Sequence, residues 1–168
     1  MEIQHLKKRV VILLWFFIAA LLLSGLTAFP LEWEMSLLDR LATGPGSPLL
    51  TLWPDMAAWI SRVNTGLQDA YGRYPFIAYG TDWLAFAHIV IAIAFWGPLK
   101  DPVRNIWVVE FGMIACVLIV PLALICGPLR GIPLFWRLID CSFGVLGIIP
   151  LWMCRSAILR IARLEGVS

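Results

Sequence analysis

An uncharged apolar run of 20 residues, Val10 to Phe29, is the feature that most restricts what this chain can fold into. As a helix it would be about 30 Å long, which matches the hydrocarbon core of a bilayer. The basic residues 7–9 precede it, as they would in a signal peptide, but the apolar region of a signal peptide has only about 7–15 residues. We therefore expect a retained transmembrane helix that ends at Pro30.

Three more apolar segments follow, and the composition agrees with a membrane environment. Hydrophobic residues make up 61% of the chain and charged residues 14%, whereas soluble domains have about 45–50% and about 25%. The segments run from about Thr81 (or nearer Phe76) to Trp96, from Ile106 to Cys126 and from Ile132 to Cys154, with Gly97-Pro98 and Gly127-Pro128 after the first two. The sequence predicts an all-α polytopic membrane protein with four transmembrane helices in a single domain, residues 1–168.

The segment 31–75 between the first two spans is polar enough to leave the membrane. The run 44–48, Gly-Pro-Gly-Ser-Pro, divides it, and Pro54 stands where a helix can begin. Apolar residues then recur at positions 56, 59, 60, 63, 67, 70 and 71, which marks one stripe of an amphipathic helix. Such a helix either lies flat at the membrane interface or packs on neighbouring helices without contacting lipid.

Basic residues in the connections predict the orientation, because they are enriched on the cytoplasmic side. With the N-terminus inside, the cytoplasmic side holds eight of the 13 basic residues: Lys7, Lys8, Arg9, Lys100, Arg104, Arg155, Arg160 and Arg163. We expect the plasma (inner) membrane, with both termini cytoplasmic. Tryptophan is enriched at both membrane interfaces. In this orientation Trp83 and Trp136 would lie at the outer interface, and Trp96, Trp107 and Trp152 at the inner one.

Several classes of chemistry have no support in the residues. The four cysteines form no C-x-x-C pair, and no Walker A, H-E-x-x-H or G-x-S-x-G motif occurs. Only His88 lies deep in a span, whereas a haem held by two histidines needs two. No basic run suits nucleic acid. The sequence therefore predicts no metal, no cofactor and no nucleic-acid partner, and it leaves enzymatic activity undecided.

Ionisable groups inside spans are costly, and by default they indicate function. Asp82 stands at the mouth of the second span, and His88 and Asp140 lie about 10 and 12 Å below the outer boundary by helical rise. Arg137 shares a helix face with Asp140. Together Asp82, His88, Arg137 and Asp140 predict a polar ligand-binding pocket that opens outward. The alternative is an Arg137–Asp140 ion pair and a His88 hydrogen bond that only fix helix packing.

Two further features leave alternatives open. Gly97-Pro98-Leu99-Lys100 recurs as Gly127-Pro128-Leu129-Arg130, either by coincidence or as an inverted repeat of the kind that builds transporter sites. Glu110 lies near the inner interface, within expected reach of Arg104 or Lys100.

The layout, with both termini inside and a long first outer loop, is similar to that of the sterol-isomerase-like four-span proteins. That likeness covers architecture alone, and no catalytic acid carries over.

The predicted function is the binding of a hydrophobic or lipid-like small molecule inside the membrane, with the bilayer and that ligand as partners. One alternative is a structural or assembly subunit of a membrane complex, in an oligomer or beside a partner subunit. The other is a small ion- or proton-coupled transporter.

Overall fold

The computed structural model describes residues 2–166, which form helices and short connections without a strand. The helices are α1 Glu2–Ala28, α2 Leu31–Thr43, α3 Pro48–Leu52, α4 Pro54–Arg73, α5 Ala78–Ala94, α6 Trp96–Lys100, α7 Ile106–Leu129 and α8 Leu134–Leu164. A 3₁₀ turn, Pro75–Ile77, joins α4 to α5. The chain divides into a terminal unit, residues 1–20 with 91–168, and an internal unit, residues 21–90.

Four helical segments are long and apolar enough to cross a membrane: Glu2–Ala28, Pro75–Lys100, Ile106–Leu129 and Leu134–Leu164. This confirms the predicted all-α class and the number of spans. At most 22% of the most apolar part of any of these helices is buried within the protein. Apolar surface on this scale needs an apolar surrounding, which a bilayer provides. The single domain stays a prediction.

The helix ends differ from the predicted ones for two reasons. α1 begins at Glu2, and α8 runs ten residues past Cys154 to Leu164, because charged residues continue a helix into water without breaking it. Pro98 does not end a helix but lies in the first turn of the short α6. The N–H groups of a first turn form no intrahelical hydrogen bond, so a proline is tolerated there. Pro128 lies in the last turn of α7.

Close contact between α7 and α8 organises the terminal unit. Gly144 lies against the backbone carbonyl of Cys116, and a Cβ added at Gly147 would stand 3.0 Å from the Cys116 Sγ. Gly112 leaves room for Phe95 and Leu151, which are fully buried. Small residues let helices approach closely where no hydrophobic effect draws them together in lipid. The order of small residues along α7 and α8 therefore fixes their packing.

Ion pairs bring the two termini to the same end of the terminal unit. Lys7 Nζ lies 2.7 Å from Glu165 Oε1, and Glu2 pairs with Arg160. The first pair joins the start of α1 to Glu165, directly after α8, and the second joins it to the last turns of α8. An even number of spans requires the termini on one side, and these contacts agree with that count.

In the internal unit, the predicted amphipathic segment consists of α2, α3 and α4, with the break at 44–47. α4 buries Met56 and Ile60 of its predicted stripe, together with Ala57, and packs on α2. Asn64 is also buried, and it donates from Nδ2 to Asp39 Oδ2 at 2.9 Å and accepts from Ser36 Oγ at 3.1 Å. These hydrogen bonds tie α2 to α4.

Candidate functional site

The internal unit contains an open groove of about 310 Å³ that is lined by four aromatic side chains and one carboxylate. Its lining consists of Phe29, Tyr79, Asp82, Trp83 and Phe86. We call this feature the aromatic groove. It is almost wholly apolar apart from the Asp82 carboxylate and the Tyr79 hydroxyl, so it suits a largely apolar ligand.

One face of α5 supplies four of the five lining residues. Positions 79, 82, 83 and 86 follow helical spacing and therefore project from the same side. Tyr79 and Trp83 meet edge to face with ring centroids 5.9 Å apart, and Trp83 and Phe86 do so at 5.7 Å. These contacts hold the three rings in a continuous row beside Asp82.

Gly25 lets α1 approach α5 closely beside the groove. A Cβ at this position would lie 3.0 Å from the Ala85 carbonyl oxygen and 3.0 Å from the His88 Cβ. A larger residue would push the helices apart. Phe29 follows one turn later, just after α1 ends at Ala28, and forms the opposite wall of the aromatic groove.

Asp82 is half-buried at the mouth of its span and carries no ion pair or side-chain hydrogen bond within residues 2–166. The basic residues of the same unit do not reach it, and Arg73 pairs instead with Asp69 at 2.8 Å. A carboxylate surrounded by aromatic rings is costly unless a positive group compensates it. Asp82 is therefore a charged group of the aromatic groove that has no compensating partner among residues 2–166.

His88 does not line the groove. Its Nδ1 lies 2.8 Å from the Leu84 carbonyl oxygen on the same helix, and donation to that oxygen places the proton on Nδ1. Its Cβ packs next to Gly25. This hydrogen bond stays within α5 and joins no second helix, so both the packing alternative and a role for His88 in binding stay predictions.

Arg137 and Asp140 both lie on α8 in the terminal unit, and they do not form the ion pair of the packing alternative. Asp140 is half-buried and has no ion pair in the part of the chain that the structure describes. The stem of Arg137 packs on Gly127, and its buried Nε finds no acceptor among residues 2–166. Their participation in ligand binding stays a prediction.

Glu110 has a different partner from the expected Arg104 or Lys100. Its Oε1 accepts a hydrogen bond from Arg155 Nε at 2.8 Å, which joins α7 to α8. Arg155 comes within reach because α8 continues as a helix beyond Cys154. Arg104 instead uses its backbone N–H to contact Asp101 Oδ1 at 3.1 Å.

No group of three or more metal-ligating side chains lies together among the described residues 2–166. All four cysteines are unpaired: Cys116 and Cys154 are buried, Cys141 is half-buried and Cys126 is exposed. The predicted lack of a cofactor is not tested by these observations.

Sequence reasoning identified Asp82 but missed the aromatic walls around it. The sequence alone predicts an interfacial position for Trp83 and the end of a span for Phe29. The spacing of Tyr79, Asp82, Trp83 and Phe86 was the available signal, because it puts three rings and a carboxylate on one helical face.

Comparison with protein-family models, with curated proteins and with solved structures finds no match for this chain.

Proposed function

We propose that this chain is an integral membrane protein that binds a hydrophobic or lipid-like small molecule in the aromatic groove. The observation that carries the proposal is the Asp82 carboxylate, which stands without a protein partner in residues 2–166 among Phe29, Tyr79, Trp83 and Phe86. Apolar sites with a few polar groups that fix orientation are the usual form of small-molecule sites.

The groove supports binding of part of a ligand rather than its full enclosure. Its volume of about 310 Å³ is at the lower end of the usual range of about 300–1,000 Å³. Its rings are also open to the surroundings, with Trp83 56% and Phe86 53% exposed. A ligand with a polar head in the groove and an apolar tail in the bilayer would contact both the Asp82 carboxylate and the exposed rings.

Native mass spectrometry of the full chain in mild detergent tests the proposal. We expect adducts of a hydrophobic compound on the unmodified protein and their loss in Trp83→Leu. Trp107→Leu is the matched control, because Trp107 is similarly exposed on α7, outside the internal unit. A bare protein mass throughout, or equal adducts in both variants, would contradict the proposal.

An assembly or structural subunit is the second candidate, and the ion pairs of the terminal unit favour it. Glu110 with Arg155 and Lys7 with Glu165 satisfy charges within the chain, as residues that only fix packing would. This candidate predicts no ligand adduct and a partner chain that co-migrates in mild detergent. Ligand adducts without a partner would count against it.

We also propose the plasma (inner) membrane, with both termini in the cytoplasm. The excess of basic residues near the two ends of the chain supports this orientation. The Lys7–Glu165 ion pair supports only that both ends lie on one side. Fusions of a fluorescent protein and of alkaline phosphatase test it. The fluorescent protein should fluoresce at either terminus, and phosphatase at either terminus should be inactive. Phosphatase inserted in residues 44–47 should be active. The reverse pattern would overturn the orientation.

A further inference from the structure

We propose that the aromatic groove selects an amphipathic organic cation, with a methylated ammonium head in the groove and an alkyl tail in the bilayer. This preference rests on the function proposed above and names the ligand class of the same site. Three features carry it: the charge of Asp82, the chemistry of the walls and the depth of the groove.

The charge of Asp82 favours a cationic ligand. Asp82 has no basic partner in the described part of the chain, and its neighbours in the groove are uncharged. A cationic head would compensate the carboxylate, whereas an anionic head would meet repulsion in a weakly polar setting. The groove therefore discriminates by sign.

The walls add selectivity among cations. A primary ammonium needs several hydrogen-bond acceptors, and the lining side chains offer only the Asp82 carboxylate and the Tyr79 hydroxyl. A quaternary ammonium donates no hydrogen bond and is attracted to aromatic faces, with Trp the strongest of them. Four rings beside one carboxylate match the second kind of head.

The depth of the groove suits an amphiphile. Asp82 is the fifth residue of α5 and lies toward the Pro75 end of the candidate span Pro75–Lys100. Lipid head groups lie at the ends of a membrane span, at the interface. Val90 lies two helical turns further along α5 and is 45% exposed, so an apolar surface continues from the groove toward the centre of the span.

The test compares amphiphiles that share one alkyl chain and differ only in the head. Hexadecyltrimethylammonium, hexadecylamine, hexadecanol and palmitate are each titrated, as a small mole fraction of the neutral detergent micelles, against the full chain, and calorimetry measures the affinity. We expect the quaternary cation to bind most tightly and palmitate most weakly. Asp82→Asn should weaken the quaternary cation by roughly tenfold and leave hexadecanol unchanged.

Two further variants make the result specific. Trp83→Leu should also weaken the quaternary cation, and it covers the case in which Asp82→Asn does not fold. Asp69→Asn is the matched control, because Asp69 is an exposed carboxylate of the same unit that lies outside the groove and pairs with Arg73. Asp69→Asn should bind every amphiphile as the unmodified chain does.

The outcomes separate this inference from the proposed function. Equal binding of all four amphiphiles, or unchanged affinity for the quaternary cation in Asp82→Asn and Trp83→Leu, would overturn the cation preference and leave amphiphile binding in place. Binding of none of the four would overturn the cation preference, and a bare mass in native mass spectrometry would then overturn the proposed function as well.

Discussion

Arg155 donates from Nε to Glu110 Oε1 at 2.8 Å and so joins the last third of α8 to the first turns of α7. The two side chains are 38% and 41% exposed, and Glu110 is the fifth residue of α7, so the pair lies near the start of that helix. Both charges are compensated within the chain, in contrast to Asp82.

The Glu110–Arg155 pair should contribute a modest coupling energy. In a double-mutant cycle with Glu110→Gln and Arg155→Gln, we expect the two changes to be non-additive by about 0.6 kcal/mol, as is typical of polar pairs in membrane proteins. Reversible unfolding in mixed micelles measures it. Strict additivity would show that the contact does not stabilise the fold.

Gly144 should be sensitive to the smallest enlargement. Its added Cβ would meet the Cys116 carbonyl oxygen, a backbone atom that cannot swing away, so we expect Gly144→Ala to cost about 1–3 kcal/mol of unfolding free energy. Gly66→Ala on α4 is the control, because nothing lies within 4 Å of its added Cβ, and a helical alanine there should be neutral or stabilising. Thermal unfolding can be followed by labelling of the buried Cys154 thiol. Equal melting of the two variants would contradict the packing described.

Asn64 should anchor α2 to α4. Asn64→Ala removes the donor to Asp39 Oδ2 and the acceptor of Ser36 Oγ, which leaves polar groups unsatisfied at a cost of about 1–3 kcal/mol. Hydrogen exchange should rise over residues 31–43 and 54–73. Thr65→Ala is the control on the exposed side of α4, because its hydroxyl bonds only to its own helix. Unchanged exchange in Asn64→Ala would remove the anchoring role.

Gly25 should control ligand binding without touching a ligand. Gly25→Leu must separate α1 from α5 at Ala85, which moves Phe29 away from the α5 face and weakens hexadecyltrimethylammonium binding. Gly80→Ala is the matched control near the start of α5, since nothing lies within 4 Å of its added Cβ. Affinity that is the same in Gly25→Leu and Gly80→Ala would show that α1 does not form a wall of the site.

The spans and the amphipathic segment could be predicted from sequence because lipid imposes a length and a polarity on every helix. The exact ends of the helices could not be predicted, because charged residues near Cys154 and at the N-terminus continue helices whose apolar parts already lie in the membrane. The partner of Glu110 depended on that extension. A residue count gives depth along a span but not the direction in which each helix faces its neighbours.

The repeated Gly-Pro-Leu motif illustrates the same limit. In each copy the glycine lies against a polar side chain from further along the chain: Asn105 at Gly97, with Oδ1 3.1 Å from an added Cβ, and Arg137 at Gly127. Local sequence shows the glycine but not what it leaves room for. Whether the two copies form a true repeat stays a prediction.

Photo-crosslinking tests the central claim most directly. An alkyltrimethylammonium carrying a photoactivatable group next to its head is bound to the full chain and irradiated, and the modified residues are mapped by peptide mass spectrometry. Binding in the aromatic groove predicts label on residues 79–86 and on Phe29, lost in Trp83→Leu. Label confined to α7 and α8, or spread over all four spans in proportion to their exposed surface, would contradict it.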